Sequence, residues 1–190
     1  MIFYLLVIED GICKLLSNGQ SSIHDLEPEN TIFTLSLSKT ISPALRTAYI
    51  ASPKRYRAAI DEALYSINLS QSALLTELDS RLIVSRELDM LLERRAEGIE
   101  KRNELVDIIL SEYTVRGDRH ALSRWLVLPD GISGAQFERE AARRGVAVYG
   151  AEHFAVGKSI PENGARLAVC APDSLQQLED ALQIIKGILK

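Results

Sequence analysis

The chain has 190 residues, enough for one or two domains with a sizeable core, and its 46% hydrophobic and 25% charged residues are ordinary for a globular protein. Its formal charge of -4 argues against a segment that wraps nucleic acid through a basic surface. The apolar first eight residues follow no basic stretch and precede Glu9-Asp10, so they predict a buried strand and no signal peptide or membrane anchor. Cys13 and Cys170 lack metal-ligand spacing, which predicts reduced thiols in a cytoplasmic protein without a metal site.

The first fifty residues predict part of a mainly parallel sheet. The apolar run Phe3–Ile8 predicts a strand buried on both faces, with Asp10 at its carboxyl end. A turn-rich loop over residues 17–30 leads to a second strand over Thr31–Leu35, and a third strand is predicted from Arg46 to Ala51. Because open α/β sheets bind ligands at the carboxyl ends of their strands, polar groups from these strands would gather at one edge.

A cluster of donors follows the second predicted strand. Ser36, Ser38 and Arg46 suit a phosphate group, and the guanidinium of Arg46 can grip a phosphate through two parallel hydrogen bonds. Lys39 offers a primary amine beside that phosphate site, which is what a Schiff base with an aldehyde cofactor requires. Such an amine is expected to lie at the edge of the sheet and partly out of water. Ser-x-Ser-Lys is also common by chance, so this tetrapeptide alone does not establish a functional lysine.

From Pro53 the apolar residues recur with a period of about 3.6, which predicts helices. One helix begins after Pro53, a second covers Ser70–Leu78, and a long amphipathic helix is predicted over Arg81–Ser111. Its mixed charges are interpreted as a solvated face without a function. We place the domain boundary at the start of this helix, which gives a first domain over residues 1–80 and a second over residues 81–190.

The remainder of the chain predicts a small α/β domain. Strands are predicted over Leu122–Leu128, Val146–Tyr149 and Arg166–Cys170, and helices are predicted over Ala135–Arg144 and from Ser174 to Leu189. The predicted fold class is therefore α/β: a remnant of a parallel sheet, a long connecting helix and a small carboxyl-terminal domain.

The stretch Ser36–Tyr49 resembles a family signature. It reads Ser-Leu-Ser-Lys-Thr-Ile-Ser-Pro-Ala-Leu-Arg-Thr-Ala-Tyr, which is similar to the Ser-x-Ser-Lys-Thr-x-x-Pro-x-Leu-Arg-x-Gly-Tyr signature of class I/II aminotransferases, the pyridoxal-phosphate enzymes of the aspartate aminotransferase fold. Val7–Asp10 and Gly164–Leu167 look like two further family strands, and Gly145–Gly157 is similar to a small-domain stretch. The pattern most resembles MocR regulators, which join a GntR-type winged-helix DNA-binding domain to an aminotransferase-like domain.

The resemblance implies a role for each candidate residue. Lys39 would bind the aldehyde of pyridoxal 5'-phosphate and, in a transaminase, move a proton, while Asp10 would pair with the ring nitrogen. The resemblance gives the phosphate to Ser36, Ser38 and Arg46, and the carboxylate of an amino acid to Arg166. Without the resemblance, a surface ion pair at a strand start explains Arg166 better, and a turn-forming acid is a reasonable explanation of Asp10.

The departures from the family pattern bear on activity. Cys13 stands where the family commonly has a tyrosine whose hydroxyl tunes the cofactor, and Ala48 replaces the family glycine. His153 lies in a loop and is interpreted as a solvated side chain. The missing hydroxyl argues against efficient transamination, whereas cofactor binding stays possible. The family residues that normally precede this pattern are not in the chain. The resemblance therefore implies that residues 1–80 are the carboxyl-terminal part of the cofactor-binding domain and that they leave sheet surface exposed.

Three interpretations stay open. The first is the effector-sensing, pyridoxal-phosphate-binding domain of a MocR-type transcriptional regulator, which would be a cytoplasmic homodimer that binds an amino-acid-like molecule and contacts DNA only through a separate amino-terminal domain. The second is a stand-alone aminotransferase that moves an amino group between an amino acid and a 2-oxo acid. The third is a folded fragment that binds no cofactor.

Overall fold

A computed structural model describes residues 5–16, 21–157 and 162–190 of the chain. The chain divides into two compact units, Met1–Arg95 and Ala96–Lys190. Phe3, where the first predicted strand begins, lies outside the described residues. None of the described helices is long and apolar enough to cross a membrane.

A three-stranded sheet organises the first unit, in the order β1-β2-β3. Strand β1 (Val7–Asp10) pairs in parallel with β2 (Thr31–Ser36), and β2 pairs antiparallel with β3 (Ala48–Ala51). The third strand begins two residues later than predicted, because Pro43–Leu45 form a 3-10 helix that ends on Arg46 in the left-handed conformation. The sheet is therefore parallel on one side of β2 and antiparallel on the other.

Strand β1 is an edge strand with one described neighbour, and much of its apolar surface faces solvent. Ile8 is 72% exposed, and Leu5 just before the strand is 76% exposed. The prediction of a strand buried on both faces is therefore wrong for β1. The exposure agrees with the expectation that this part of the fold leaves sheet surface uncovered.

The helices of the first unit follow the sheet. A short helix α1 (Ile23–Leu26) begins with a capping box and precedes β2, and α2 (Lys54–Asn68) and α3 (Ala73–Val84) follow β3. The predicted helix over Arg81–Ser111 is wrong at its start, because Arg86 adopts a left-handed φ of 60° that no α-helix contains. A separate helix α4 (Glu87–Ile109) begins directly after that break and runs on into the second unit.

The second unit has a four-stranded antiparallel sheet in the order β4-β5-β7-β6. Its strands are short: β4 (Val115–Arg116), β5 (Arg124–Val127), β6 (Tyr149–Gly150) and β7 (Gly164–Leu167). The sequence favours a turn over residues 113–120, which include Gly117-Asp118, and β4 forms within that stretch. Strand β7 begins earlier and ends earlier than predicted, so Arg166 lies inside the strand.

Helices α5 (Gly134–Arg143) and α6 (Leu175–Leu189) contribute to one core with the sheet and the end of α4. Phe137 and Leu126 are fully buried in this core. Burying a side chain of the size of Phe137 contributes about 3 kcal/mol to the free energy of unfolding. The opposite faces of β5, β6 and β7 carry Trp125, Tyr149 and Arg166, which alternate with core residues along the strands.

Candidate functional site

The carboxyl ends of β1 and β2 lie at the same edge of the first sheet, because the two strands run parallel. Asp10 is opposite Thr34 in the register, and the N–H of Gly11 donates to the Thr34 carbonyl oxygen at 2.8 Å. A Cβ at Gly11 would overlap the ring of Phe33, so the chain turns here through a residue without a side chain. The fold thus places the end of β1 beside the loop that follows Ser36, the last residue of β2.

The pKa of Cys13 depends on two charged groups at this edge. Partial burial raises the pKa of the Cys13 thiol, the Asp10 carboxylate raises this pKa further, and the Lys39 ammonium group opposes both effects. Charges act on the pKa of a neighbour in this way only over short distances. Asp10 and Lys39 are therefore both close enough to Cys13 to act on its pKa. Asp10 also accepts the N–H of Ile12 through Oδ1 at 3.1 Å, which stabilises the turn.

Ser36 holds the loop that carries Lys39. Its Oγ donates to the Thr47 carbonyl oxygen at 3.1 Å and accepts the N–H of Ser38 at 3.1 Å. Leu37 and Thr40 on either side of the loop are buried, at 1% and 0% exposure. A phosphate could take the hydrogen of Ser36 only if the bond to Thr47 were given up, so in this state Ser36 positions the loop.

Lys39 itself is exposed, which differs from the expectation of an amine partly removed from water. The reason is local, because Leu37 and Thr40 turn inward and leave Lys39 at the outer side of the loop. Arg46 is also exposed and has a φ of 52°. The left-handed conformation costs a residue with a Cβ about 1–2 kcal/mol, and such strain is concentrated at functional sites.

Arg166 lies in the second unit, on β7, directly opposite Trp125 on β5 and Tyr149 on β6. The carbon of its guanidinium is 5.1 Å from the ring centre of Tyr149 and 5.4 Å from that of Phe154. Its Nε is buried and has no hydrogen-bond partner in the described part of the chain. The ion pairs of those same residues do not include Arg166, whose guanidinium lies against aromatic rings.

The sequence reasoning missed the aromatic residues around Arg166. Trp125 and Phe154 contact each other edge to face, with ring centres 5.7 Å apart. Every second residue of a strand faces the same side, so Trp125 and Arg166 could have been placed on one face if the pairing of their strands had been known. His153 contacts Tyr149 and lies with Nε2 3.0 Å from Oε2 of Glu138, which ties its turn to α5.

No protein-family model matches the chain. The chain is 44% identical over 188 residues to the uncharacterized HTH-type transcriptional regulator YdeF of Bacillus subtilis (strain 168), a match that covers 98% of the chain and 41% of YdeF. Among solved structures it is similar to an archaeal alanine:glyoxylate aminotransferase, with a TM-score of 0.86, 18% identity and coverage of 97% of this chain and 48% of the other.

Two further structures give the same result. Kynurenine aminotransferase from Pyrococcus horikoshii matches with a TM-score of 0.84 and 20% identity, over 97% of this chain and 48% of that chain. The α-aminoadipate aminotransferase LysN from Thermus thermophilus, complexed with N-(5'-phosphopyridoxyl)-L-leucine, matches with a TM-score of 0.77 and 23% identity, over 97% of this chain and 51% of that chain.

The chain thus spans about half the length of these aminotransferases and less than half of the regulator. The predicted aminotransferase-like fold is confirmed by the solved structures, and the predicted relation to transcriptional regulators is confirmed by the sequence relative. The chain has an aminotransferase-like α/β fold and is similar in sequence to an HTH-type transcriptional regulator.

Proposed function

We propose that this chain is part of the effector-sensing domain of a MocR-type regulator of the GntR class, and that it contributes residues that bind pyridoxal 5'-phosphate and an amino-acid-like ligand. The parent protein would be a cytoplasmic homodimer that contacts DNA through a separate winged-helix domain. The proposal draws on the similarity to an HTH-type regulator along nearly the whole chain and on the aminotransferase-like fold.

The observation that carries the proposal is the parallel pairing of β1 and β2, which brings Asp10 and the loop with Lys39 to one edge of the sheet, where both charges act on Cys13. The donor set there fits the cofactor. A carboxylate suits a protonated ring nitrogen, and an exposed primary amine suits an aldehyde. Ser38 and Arg46 are the donors for the phosphate, with Ser36 holding the loop between them and the sheet.

Bound at this edge, the cofactor would supply an aldehyde carbon and an aromatic ring that withdraws electrons. The residues of the chain would do the rest: Lys39 binds covalently through Nζ, Asp10 orients the ring, and Arg46 neutralises phosphate charge. Arg166 would bind the carboxylate of the ligand. Its Nε is buried and has no hydrogen-bond partner in the described residues, which is a costly state that a bound carboxylate relieves.

A sensing role suits this residue set better than rapid turnover. Cys13 occupies the position where the family tyrosine donates a hydroxyl hydrogen, and a thiol is a weak donor. Its raised pKa also keeps the thiol neutral. The site can therefore hold the cofactor and a ligand while it lacks a strong donor that would tune the cofactor for proton transfer.

The experiment is a titration of the 190-residue chain with pyridoxal 5'-phosphate, followed by absorbance and then by borohydride reduction and peptide mass spectrometry. We expect a new visible absorbance band and a modified peptide that contains Lys39. Lys39→Ala should remove both signals. Lys54→Ala is the matched control, because Lys54 is an exposed lysine at the start of α2, and it should leave both signals intact.

Equal labelling of Lys54 and Lys39 would show that the aldehyde reacts with any exposed amine, and the proposed cofactor site would then be wrong. A band that persists in Lys39→Ala would have the same meaning. An Asp10→Asn variant should weaken cofactor binding about tenfold, since removing one charge-assisted contact costs about 1.5 kcal/mol.

A further inference from the structure

Two residues on the face of the second sheet that is turned away from its core each carry a buried hydrogen-bond donor without an acceptor in the described residues. The donors are Nε of Arg166 and Nε1 of Trp125. The two residues are directly opposite each other across β5 and β7. Buried donors are almost always bonded, so two adjacent orphans point to an acceptor that binds between them.

The backbone of β7 is shaped to keep Trp125 in this position. A Cβ at Gly164, two residues before Arg166, would lie 2.5 Å from Nε1 of Trp125. The indole nitrogen therefore packs against a strand position where any side chain would displace it. The glycine at this position allows the indole nitrogen of Trp125 to pack directly against β7, the strand that carries Arg166.

The ring of Phe154 contacts both of these residues. Its centre is 5.7 Å from that of the Trp125 ring and 5.4 Å from the guanidinium carbon of Arg166. The same side chain is 44% exposed and belongs to a short 3-10 helix (Ala151–Phe154). A half-exposed ring can move at a lower cost than a core residue.

We propose that Trp125 is a second ligand-binding residue, which donates its indole N–H to the same carboxylate that Arg166 binds, and that the ring of Phe154 covers this two-donor site until the carboxylate replaces it. Tyr149, whose ring centre is 5.1 Å from the guanidinium carbon, stays in contact with it and keeps it oriented. The inference rests on the proposed ligand role of Arg166 and is independent of Lys39 and of any cofactor.

The chain contains a single tryptophan, so the indole N–H of Trp125 gives one resonance in a nitrogen-15 spectrum. The test is a titration of the labelled 190-residue chain with sodium acetate against sodium chloride at equal ionic strength. We expect the Trp125 indole N–H and the Arg166 Nε–H resonances to shift with one common dissociation constant, and chloride to leave both unchanged. Arg166→Gln should abolish the acetate effect.

Two variants with opposite expected signs separate ligand binding from a merely structural role. Trp125→Phe keeps an aromatic ring and removes the N–H, so acetate affinity followed at Arg166 should fall about tenfold. Phe154→Ala removes the cover, so acetate affinity should rise about threefold or more. If the aromatic residues only steady Arg166, Trp125→Phe leaves the affinity unchanged and Phe154→Ala lowers it, and either result overturns the inference.

Lys54→Ala, at an exposed lysine with no proposed role, should leave the acetate titration unchanged, and the titration contains no pyridoxal 5'-phosphate, which keeps its outcome separate from the cofactor test. Shifts at Arg166 alone would leave its proposed carboxylate role intact and reject Trp125 as a ligand-binding residue. If neither resonance shifts saturably, both the two-donor site and the ligand role of Arg166 are wrong, whatever the result of labelling at Lys39.

Discussion

Arg46 combines a strained backbone with a proposed phosphate contact, so replacing it should separate stability from binding. Its φ of 52° places a residue with a Cβ in the left-handed region, which costs about 1–2 kcal/mol. Glycine adopts that conformation freely but adds about 0.5–1 kcal/mol of chain entropy to the unfolded state. Arg46→Gly should therefore stabilise the first unit by about 0.5–1 kcal/mol.

The same substitution removes the guanidinium. Charge-assisted hydrogen bonds contribute about 1.5–3 kcal/mol, so affinity for pyridoxal 5'-phosphate should fall by a factor of about 10 to 100. Arg46→Ala is the matched control, because it removes the same guanidinium and keeps the strained conformation. The two variants should bind the cofactor equally weakly, and only Arg46→Gly should be more stable than the unsubstituted chain.

Hydrogen exchange of the amides in β2 is the suitable measurement of stability, since the chain has two units and a single melting curve would mix their transitions. The slowest-exchanging β2 amides should be more protected in Arg46→Gly than in Arg46→Ala, by about 0.5–1 kcal/mol. Equal protection in the two variants would refute the argument from strain. Cofactor affinity that is unchanged in both would refute the phosphate contact while leaving the strain argument intact.

Two further predictions test the neighbourhoods of Cys13 and Trp125. Because the pKa of Cys13 is raised, its alkylation by iodoacetamide should begin at higher pH than that of a free cysteine. With Cys170 replaced, Asp10→Asn should move this onset to lower pH and Lys39→Ala should move it to higher pH. An onset that neither variant moves would show that Asp10 and Lys39 do not act on Cys13. Gly164→Ala should destabilise the second unit by about 1–3 kcal/mol, because the added Cβ displaces the indole of Trp125. Hydrogen exchange of the β5 amides measures this change, and a value below about 0.5 kcal/mol would contradict the tight packing.

The elements that the sequence predicted best are those with a strong local pattern. The apolar run of β2 and the capped helices α5 and α6 appear within a few residues of their predicted bounds. The third strand and the long helix were misjudged at their starts, because Arg46 and Arg86 take left-handed conformations that no residue preference for arginine would indicate.

The candidate site was predictable only through the resemblance to a family signature. The signature pointed to Lys39 and Asp10, which the parallel pairing of β1 and β2 brings to one edge. It could not reveal that the hydroxyl of Ser36 is committed to Thr47, because that bond depends on where β3 begins. Nor could it reveal the unpartnered donors of Trp125 and Arg166, because strand pairing decides which side chains face each other.

The exposed apolar edge strand β1 favours association between copies of the chain in solution. Leu5 and Ile8 lie beside backbone groups that no described strand pairs with, and such an edge is a template for adding another strand. A net charge of -4 supplies only modest repulsion between copies, and salt screens it. Stock solutions should therefore be kept dilute and low in salt, and a lysine in place of Ile8 is the substitution to try first for better solubility.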